Sequence, residues 1–194
     1  MELSFGFFIK SILLGFGLAM DAFSVSLANG LNEPCMNKRR MCFIAGTFAF
    51  FQFIMPIIGW ICVHTISSHF VLFEKFIPWI ALVLLSFIGG KMIAEGRNNS
   101  EAECGSGSVG LAGLAVQGIA TSIDALSVGF TIAEYGAFSA IISCLVIAAV
   151  TFAVCLTGVN IGKKFGTALS GKAGIFGGLI LIFIGVEILL KSLV

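Results

Sequence analysis

The sequence predicts an all-α integral membrane protein whose six transmembrane helices form two inverted three-helix repeats. Three observations carry that expectation. Of 194 residues, 58% are hydrophobic and only 11% charged, whereas a soluble domain carries about 25% charged residues. Six apolar runs, at roughly 5–30, 41–64, 72–95, 109–133, 136–162 and 173–193, each reach the ~20 residues that a helix needs to cross the hydrocarbon core. The stretch Gly15-Phe-Gly-Leu-Ala-Met-Asp-Ala-Phe-Ser-Val-Ser26 returns 103 residues later as Gly118-Ile-Ala-Thr-Ser-Ile-Asp-Ala-Leu-Ser-Val-Gly129, with Gly, Asp, Ala, Ser and Val in the same places.

The first run carries Asp21 near its middle and has no basic stretch ahead of it, so it reads as a retained span and not a cleaved signal peptide. Lys38-Arg39-Arg40 precede the second run, which contains Gln52 and Pro56. The proline is expected to kink its helix and free a carbonyl. His64 and His69, at the end of this span, lack the His-Glu-x-x-His pattern of a zinc protease and read as interfacial. The third run closes on Lys91, near enough to a helix end to snorkel. Gly96 to Ser108, rich in Gly, Ser and charge, reads as a flexible cytoplasmic linker. It separates a first repeat, 1–95, from a second, 109–194. In the fourth run Gln117, Thr121, Asp124, Ser127 and Thr131 recur at three- and four-residue spacing, which places them on one helical stripe. The fifth carries Thr151 where the second has Gln52, and the sixth carries Glu187 four residues before Lys191, a local ion-pair spacing.

The halves match beyond the Asp motif. Phe53, Pro56 and Gly59 correspond to Phe152, Cys155 and Gly158 at an offset of 99, and Phe87-Ile88-Gly89 to Phe183-Ile184-Gly185 at an offset of 96. Three spans per half is an odd number, so the second half enters the membrane with opposite polarity, the build of many secondary transporters. Lys38, Arg39, Arg40, Lys91, Arg97, Lys163, Lys164 and Lys172 fall on one side of the six spans, and only Lys10, Lys75 and Lys191 on the other. Cytoplasmic loops carry the excess of Lys and Arg, which predicts both termini outside.

Net charge is +1, so nothing suggests nucleic acid, and only the Lys38–Arg40 cluster is suited to anionic lipid. The six cysteines, at 35, 42, 62, 104, 144 and 155, have no Cys-x-x-Cys spacing and read as small apolar fillers. No resident cofactor is indicated, and no oligomeric state can be assigned. The chemistry therefore rests on Asp21 and Asp124. An acid inside a membrane span is a functional-site hypothesis by default. Ser24, Gln52, Gln117, Thr121, Ser127 and Thr151 are candidate further ligands or pathway residues, and the backbone near Gly15, Gly17 and Gly118 is a candidate for unwinding. Carboxylate, hydroxyl, amide and carbonyl oxygens suit divalent cations such as Mg²⁺, Ca²⁺ and Mn²⁺. Polar residues of this kind also serve simply to bridge helices.

Met20-Asp21-Ala22-Phe23-Ser24-Val25-Ser26, Pro56-x-x-Gly59-Trp60, Phe87-x-Gly89-Gly90-Lys91-Met92-Ile93-x-Glu95-Gly96 and Ala120-Thr121-Ser122-x-Asp124-Ala125-x-Ser127-Val128-Gly129 together resemble the MntP family of bacterial manganese efflux pumps. The resemblance implies a six-helix plasma-membrane exporter with Mn²⁺ as cargo, in which Asp21 and Asp124 matter for export. Gln52 stands where some members have Glu, and Glu187 lies outside the pattern. Two other readings compete. An exporter of small organic cations such as basic amino acids would use the same aspartates against ammonium groups, and a thiol-disulfide carrier would need paired intramembrane cysteines. A dication between the two aspartates would keep both ionised. After its release their repulsion would favour taking up a proton, which makes Mn²⁺/H⁺ exchange the expected coupling.

Overall fold

The computed structural model describes residues 5–65, 109–168 and 173–193, with positions 79, 82, 83, 86–90, 93 and 94 between them. The described residues are helical apart from short turns. In chain order the helices are α1 (Phe5–Asn32), α2 (Lys38–Thr65), α3 (Leu111–Thr121), α4 (Ile123–Thr131), α5 (Ala137–Ala168) and α6 (Ala173–Leu193). Most of the third apolar run and the whole expected linker lie outside the described residues, as do His69, Lys75, Lys91 and the side chains of His64, Glu187 and Lys191.

Among the described residues three helices are long and apolar enough to cross a membrane: α1 with 28 residues, 25 residues of α2 from Lys38 to Cys62, and 30 of α5 from Ala137 to Gly166, whereas α6 contributes a shorter apolar helix, Ile175–Ile184. The helices α3 and α4 make a fourth candidate, bent by 41° at Ser122. The sequence predicts one span over 109–133, with the backbone near Gly118 a candidate for unwinding. The chain breaks at Ser122, whose φ of −110° and ψ of 10° leave the helical region. The expectation of unwinding fails at Gly15 and Gly17, since α1 runs through both without interruption, and the break near Gly118 falls four residues later. Likewise α2 continues through Pro56 as one helix. Its missing N–H still leaves the carbonyl of Gln52 without a helical donor.

The helices expose large apolar side chains and bury several polar ones within a largely apolar core. Leu13, Phe16, Phe50, Phe138, Leu145, Phe165 and Phe183 are exposed, while Ser11, Asn29, Gln52, Gln117, Thr121, Ser122, Ser143 and Thr151 are buried. A soluble bundle sorts these two groups the other way. This distribution, with the candidate spans, makes the chain a multi-pass membrane protein.

Each half is stitched to the other, and the contacts come in corresponding pairs. α1 packs along α5 and, less extensively, on α6, whereas α2 packs on α5, α4 and α3. A Cβ at Gly158 would come within 2.9 Å of the Phe23 carbonyl oxygen, and one at Gly59 would overlap the Leu126 carbonyl oxygen. Gly158 is the counterpart of Gly59, and Leu126 of Phe23, at the offsets that relate the repeated motifs. In the same way Gly15 lies against Val150, and Gly118 against the Phe51 ring. Backbones come close at Gly30 with Gly162, at Gly59 with Gly129 and at Gly89 with Gly178, where the lack of side chains allows the close approach that membrane helices depend on.

Polar clasps close the two ends. At one, Glu33 receives Arg40 Nε and Nη2 at 3.2 and 3.0 Å and the Val109 N–H at 2.8 Å. Arg40 also donates to the Val109 carbonyl, so the α1–α2 turn is tied to the chain entering α3. Asn37 caps α2 through its Oδ1, which accepts the Arg40 N–H at 2.8 Å. At the other end Trp60 Nε1 donates to the Tyr135 carbonyl at 3.1 Å. The cysteines are not uniformly apolar fillers. Cys35, exposed in the α1–α2 turn, is disulfide-bonded, whereas Cys42, Cys62, Cys144 and Cys155 are free thiols.

Candidate functional site

The interior of the bundle carries a column of oxygen and amide groups, and the candidate residues belong to it unequally. Ser11 and Ser143 hydroxyls meet at 3.0 Å between α1 and α5. About two turns further along α1, Gln52 Nε2 donates to the Leu18 carbonyl at 2.9 Å. Its Oε1 is buried with no partner, and so is the Thr151 hydroxyl on α5, its counterpart in the other half. The Ser122 hydroxyl, at the break between α3 and α4, is also buried and unpartnered. A buried polar group left unpaired costs about 1–3 kcal/mol. Ser26 Oγ on α1 is a fourth such oxygen, and each of the four is of a type that can serve as a ligand to a hard cation.

Asp21, half-buried on α1, lies one turn beyond Leu18. Asp124 is exposed, in the first turn of α4, and its Oδ1 accepts the Ala125 N–H at 2.9 Å. That position is favourable for an anion, because the opening N–H groups of a helix carry partial positive charge. The break at Ser122 thus gives Asp124 a helix N-terminus inside the span. The two carboxylates stand on helices that pack mainly on other partners, α1 on α5 and α4 on α2. Among the described residues no three His, Cys, Asp or Glu side chains gather as a metal cluster. Any cation held here would take its remaining ligands from neutral oxygens.

The hydroxyl candidates are oriented by their own helices. Ser24 Oγ donates to the Met20 carbonyl at 3.1 Å, and Thr121 Oγ1 to the Gln117 carbonyl at 2.9 Å. Each has its hydrogen committed to backbone, which leaves lone pairs to accept or to bind a metal. Gln117 is differently placed: it exchanges hydrogen bonds with Asn29, Asn29 Nδ2 to Gln117 Oε1 at 2.8 Å and Gln117 Nε2 to Asn29 Oδ1 at 3.3 Å. Its amide serves to bridge α1 and α3. The expected stripe along the fourth span is divided by the bend. Gln117 and Thr121 are buried, whereas Asp124, Ser127 and Thr131 are exposed along α4.

Sequence reasoning missed Asn29 and the Ser122 hydroxyl. Asn29 lies eight residues after Asp21, two turns along the same helix face, and that spacing was a signal. For Ser122 no signal existed, because only the break gives its hydroxyl a special position.

A family model described as "Mntp: Putative manganese efflux pump" matches residues 35–189. Among curated relatives, a protein of Methanobrevibacter smithii is 43% identical over 182 residues, covering 94% of this chain and 96% of its own length. One from Sorangium cellulosum is 40% identical over 192 residues, covering 96% and 98%. One from Clostridium perfringens is 38% identical over 204 residues, covering 94% of each. All three carry the name "Putative manganese efflux pump MntP". No solved structure matches the chain.

Proposed function

Because this chain belongs to the MntP family of manganese efflux pumps, we propose that it carries Mn²⁺ out of the cell through a path built on Asp21 and Asp124. Manganese is cargo and not a resident cofactor. The observation that carries the reading to this chain is identity of about 40% to named relatives along nearly its whole length. For the site, support comes from the repeated Asp motif and from the unpartnered oxygens of Gln52, Thr151 and Ser122 between the two halves.

The architecture we infer is an inverted repeat of three helices each, 1–95 and 109–194, joined by a cytoplasmic linker, with both termini outside. The corresponding contacts, Phe23 with Gly158 and Leu126 with Gly59, support it, since exchanging the halves exchanges one contact for the other. A break inside a span beside a carboxylate is also how secondary transporters present helix ends and free carbonyls to substrate near the midplane. In each turnover a dication neutralises the carboxylates on one side, and rocking of the halves exposes it to the other. After release the repulsion between the two carboxylates favours uptake of a proton from outside, which lets the empty carrier return.

The test is flux in proteoliposomes containing the purified full-length chain and a panel of Mn²⁺, Fe²⁺, Mg²⁺ and Ca²⁺, with lysine and arginine as organic cations. Saturable Mn²⁺ transport is expected. Transport of the amino acids without any of the metals would replace this reading with the organic-cation one.

A further inference from the structure

At the basic end of the bundle, between the first turns of α2 and the last turns of α5, lies a cavity of about 580 Å³ lined by Lys38, Lys163, Lys164 and Asn160 with Met41 and Leu156. Cys42 completes the lining, and among the described residues no acidic side chain lines it. The acid nearest in the chain, Glu33, is already committed to Arg40 and to the Val109 N–H. Three ammonium groups around one cleft repel one another, and an anion among them relieves that cost.

The donors are available. Lys163 Nζ gives one hydrogen to the Met36 carbonyl at 2.6 Å, which leaves two of its three. Asn160 Nδ2 gives one to the Leu156 carbonyl at 3.0 Å, which leaves its second. The volume falls within the range of small-molecule sites, about 300–1,000 Å³, and exceeds what a bare phosphate fills. The remaining wall is apolar, Met41 and Leu156, and the same stretches of α2 and α5 present exposed Phe43, Ile161 and Phe165 to the outside. A ligand with a phosphate at one end and hydrocarbon at the other meets both surfaces.

We propose that this cavity binds the phosphate of an anionic phospholipid headgroup, whose glycerol and first methylenes lie along Met41 and Leu156. The site is separate from the aspartates and does not depend on the manganese reading. Basic clefts between helices on the cytoplasmic side are a recurring way to hold anionic lipid. A soluble phosphate would use the same lysines without needing the apolar wall.

The experiment is native mass spectrometry of the full-length protein, delipidated in detergent and titrated with dioleoyl-phosphatidylglycerol, dioleoyl-phosphatidylcholine or inorganic phosphate. Phosphatidylglycerol should be retained in preference to phosphatidylcholine. Lys38→Gln and Lys164→Gln should each weaken that retention about fivefold, and the double variant more, while Lys38→Arg/Lys164→Arg keeps it. Lys10→Gln, at the opposite end, should change nothing. If the double variant fails to fold, Lys164→Gln, at an exposed helical position, carries the same expectation alone. Equal retention of the two lipids, or unchanged phosphatidylglycerol retention in the Gln variants, overturns the site. Displacement of the lipid by millimolar phosphate overturns the lipid assignment in favour of a soluble anion.

Discussion

Asp21 and Asp124 occupy corresponding positions in the repeated motif but different surroundings. One is half-buried in an unbroken helix, and the other is exposed at the start of a helix that begins inside the span. A carboxylate at the centre of a membrane helix costs about 2.5–3.5 kcal/mol on insertion scales, which is the ground for proposing both as site residues. Replacing either with Asn removes the charge and keeps the shape. Asp21→Asn or Asp124→Asn should abolish Mn²⁺ tolerance in a pump-deficient bacterium while membrane levels stay at those of the native protein; full tolerance in either variant would take that residue out of the mechanism. The glycines make a second, structural prediction. A Cβ at Gly59 or Gly162 would overlap a facing carbonyl oxygen, from Leu126 or Leu27, whereas at Gly46 it meets nothing within 4 Å. Gly59→Ala and Gly162→Ala should each lower stability by about 1–3 kcal/mol, measured by thermal unfolding in detergent, and Gly46→Ala should leave it unchanged or slightly raised. The carboxylates stand out in the sequence because a charge in an apolar run is costly and these two recur in one repeated motif. Their neighbours do not: that Gln117 pairs with Asn29, and so serves α1, depends on which helices meet, and a single chain read in order does not contain that.

At the scale of elements, α1, α2, α5 and α6 follow the apolar runs, since length and hydropathy alone determine where a helix can lie in a bilayer. Unwinding in this run was legible at Gly118, but the position of the break at Ser122 was not, because Thr121-Ser122 carries neither Pro nor Gly. Direction across the membrane is the element-level question that the basic residues address. In the structure Lys38, Lys163 and Lys164 line one cavity at one end of the bundle, as the loop count requires. In a background lacking the native cysteines, Glu101→Cys should be shielded from impermeant thiol reagents in whole cells, and Glu2→Cys labelled. The reverse pattern would invert the orientation. The disulfide at Cys35 sharpens this test, for the same count puts the α1–α2 turn on the reducing side, where disulfides seldom persist. Cys35 recovered from intact cells as a thiol would agree with the count, and Cys35 recovered as the disulfide of the structure would favour the reverse orientation.

For the whole molecule the question is what drives the cycle. If the empty carrier returns protonated, an imposed pH gradient should drive Mn²⁺ against its own concentration gradient in proteoliposomes, and Mn²⁺ flux should move protons the other way. Transport that follows only voltage and the Mn²⁺ gradient would remove proton exchange and leave the aspartate path standing. Either way the two halves must shift against each other, and the glycine contacts described above bear on how easily they do. Where Gly30 faces Gly162 and Gly59 faces Gly129, the touching surfaces are bare main chain with no knobs seated in holes. Sliding one helix past the other by a residue's rise, about 1.5 Å, unthreads no side chain and demands no change of rotamer there. Such seams are low-friction bearings, and they lie along α1 with α5 and α2 with α4, two of the helix pairs, beside α2 with α5 and α1 with α6, through which residues 5–65 rest on residues 109–193.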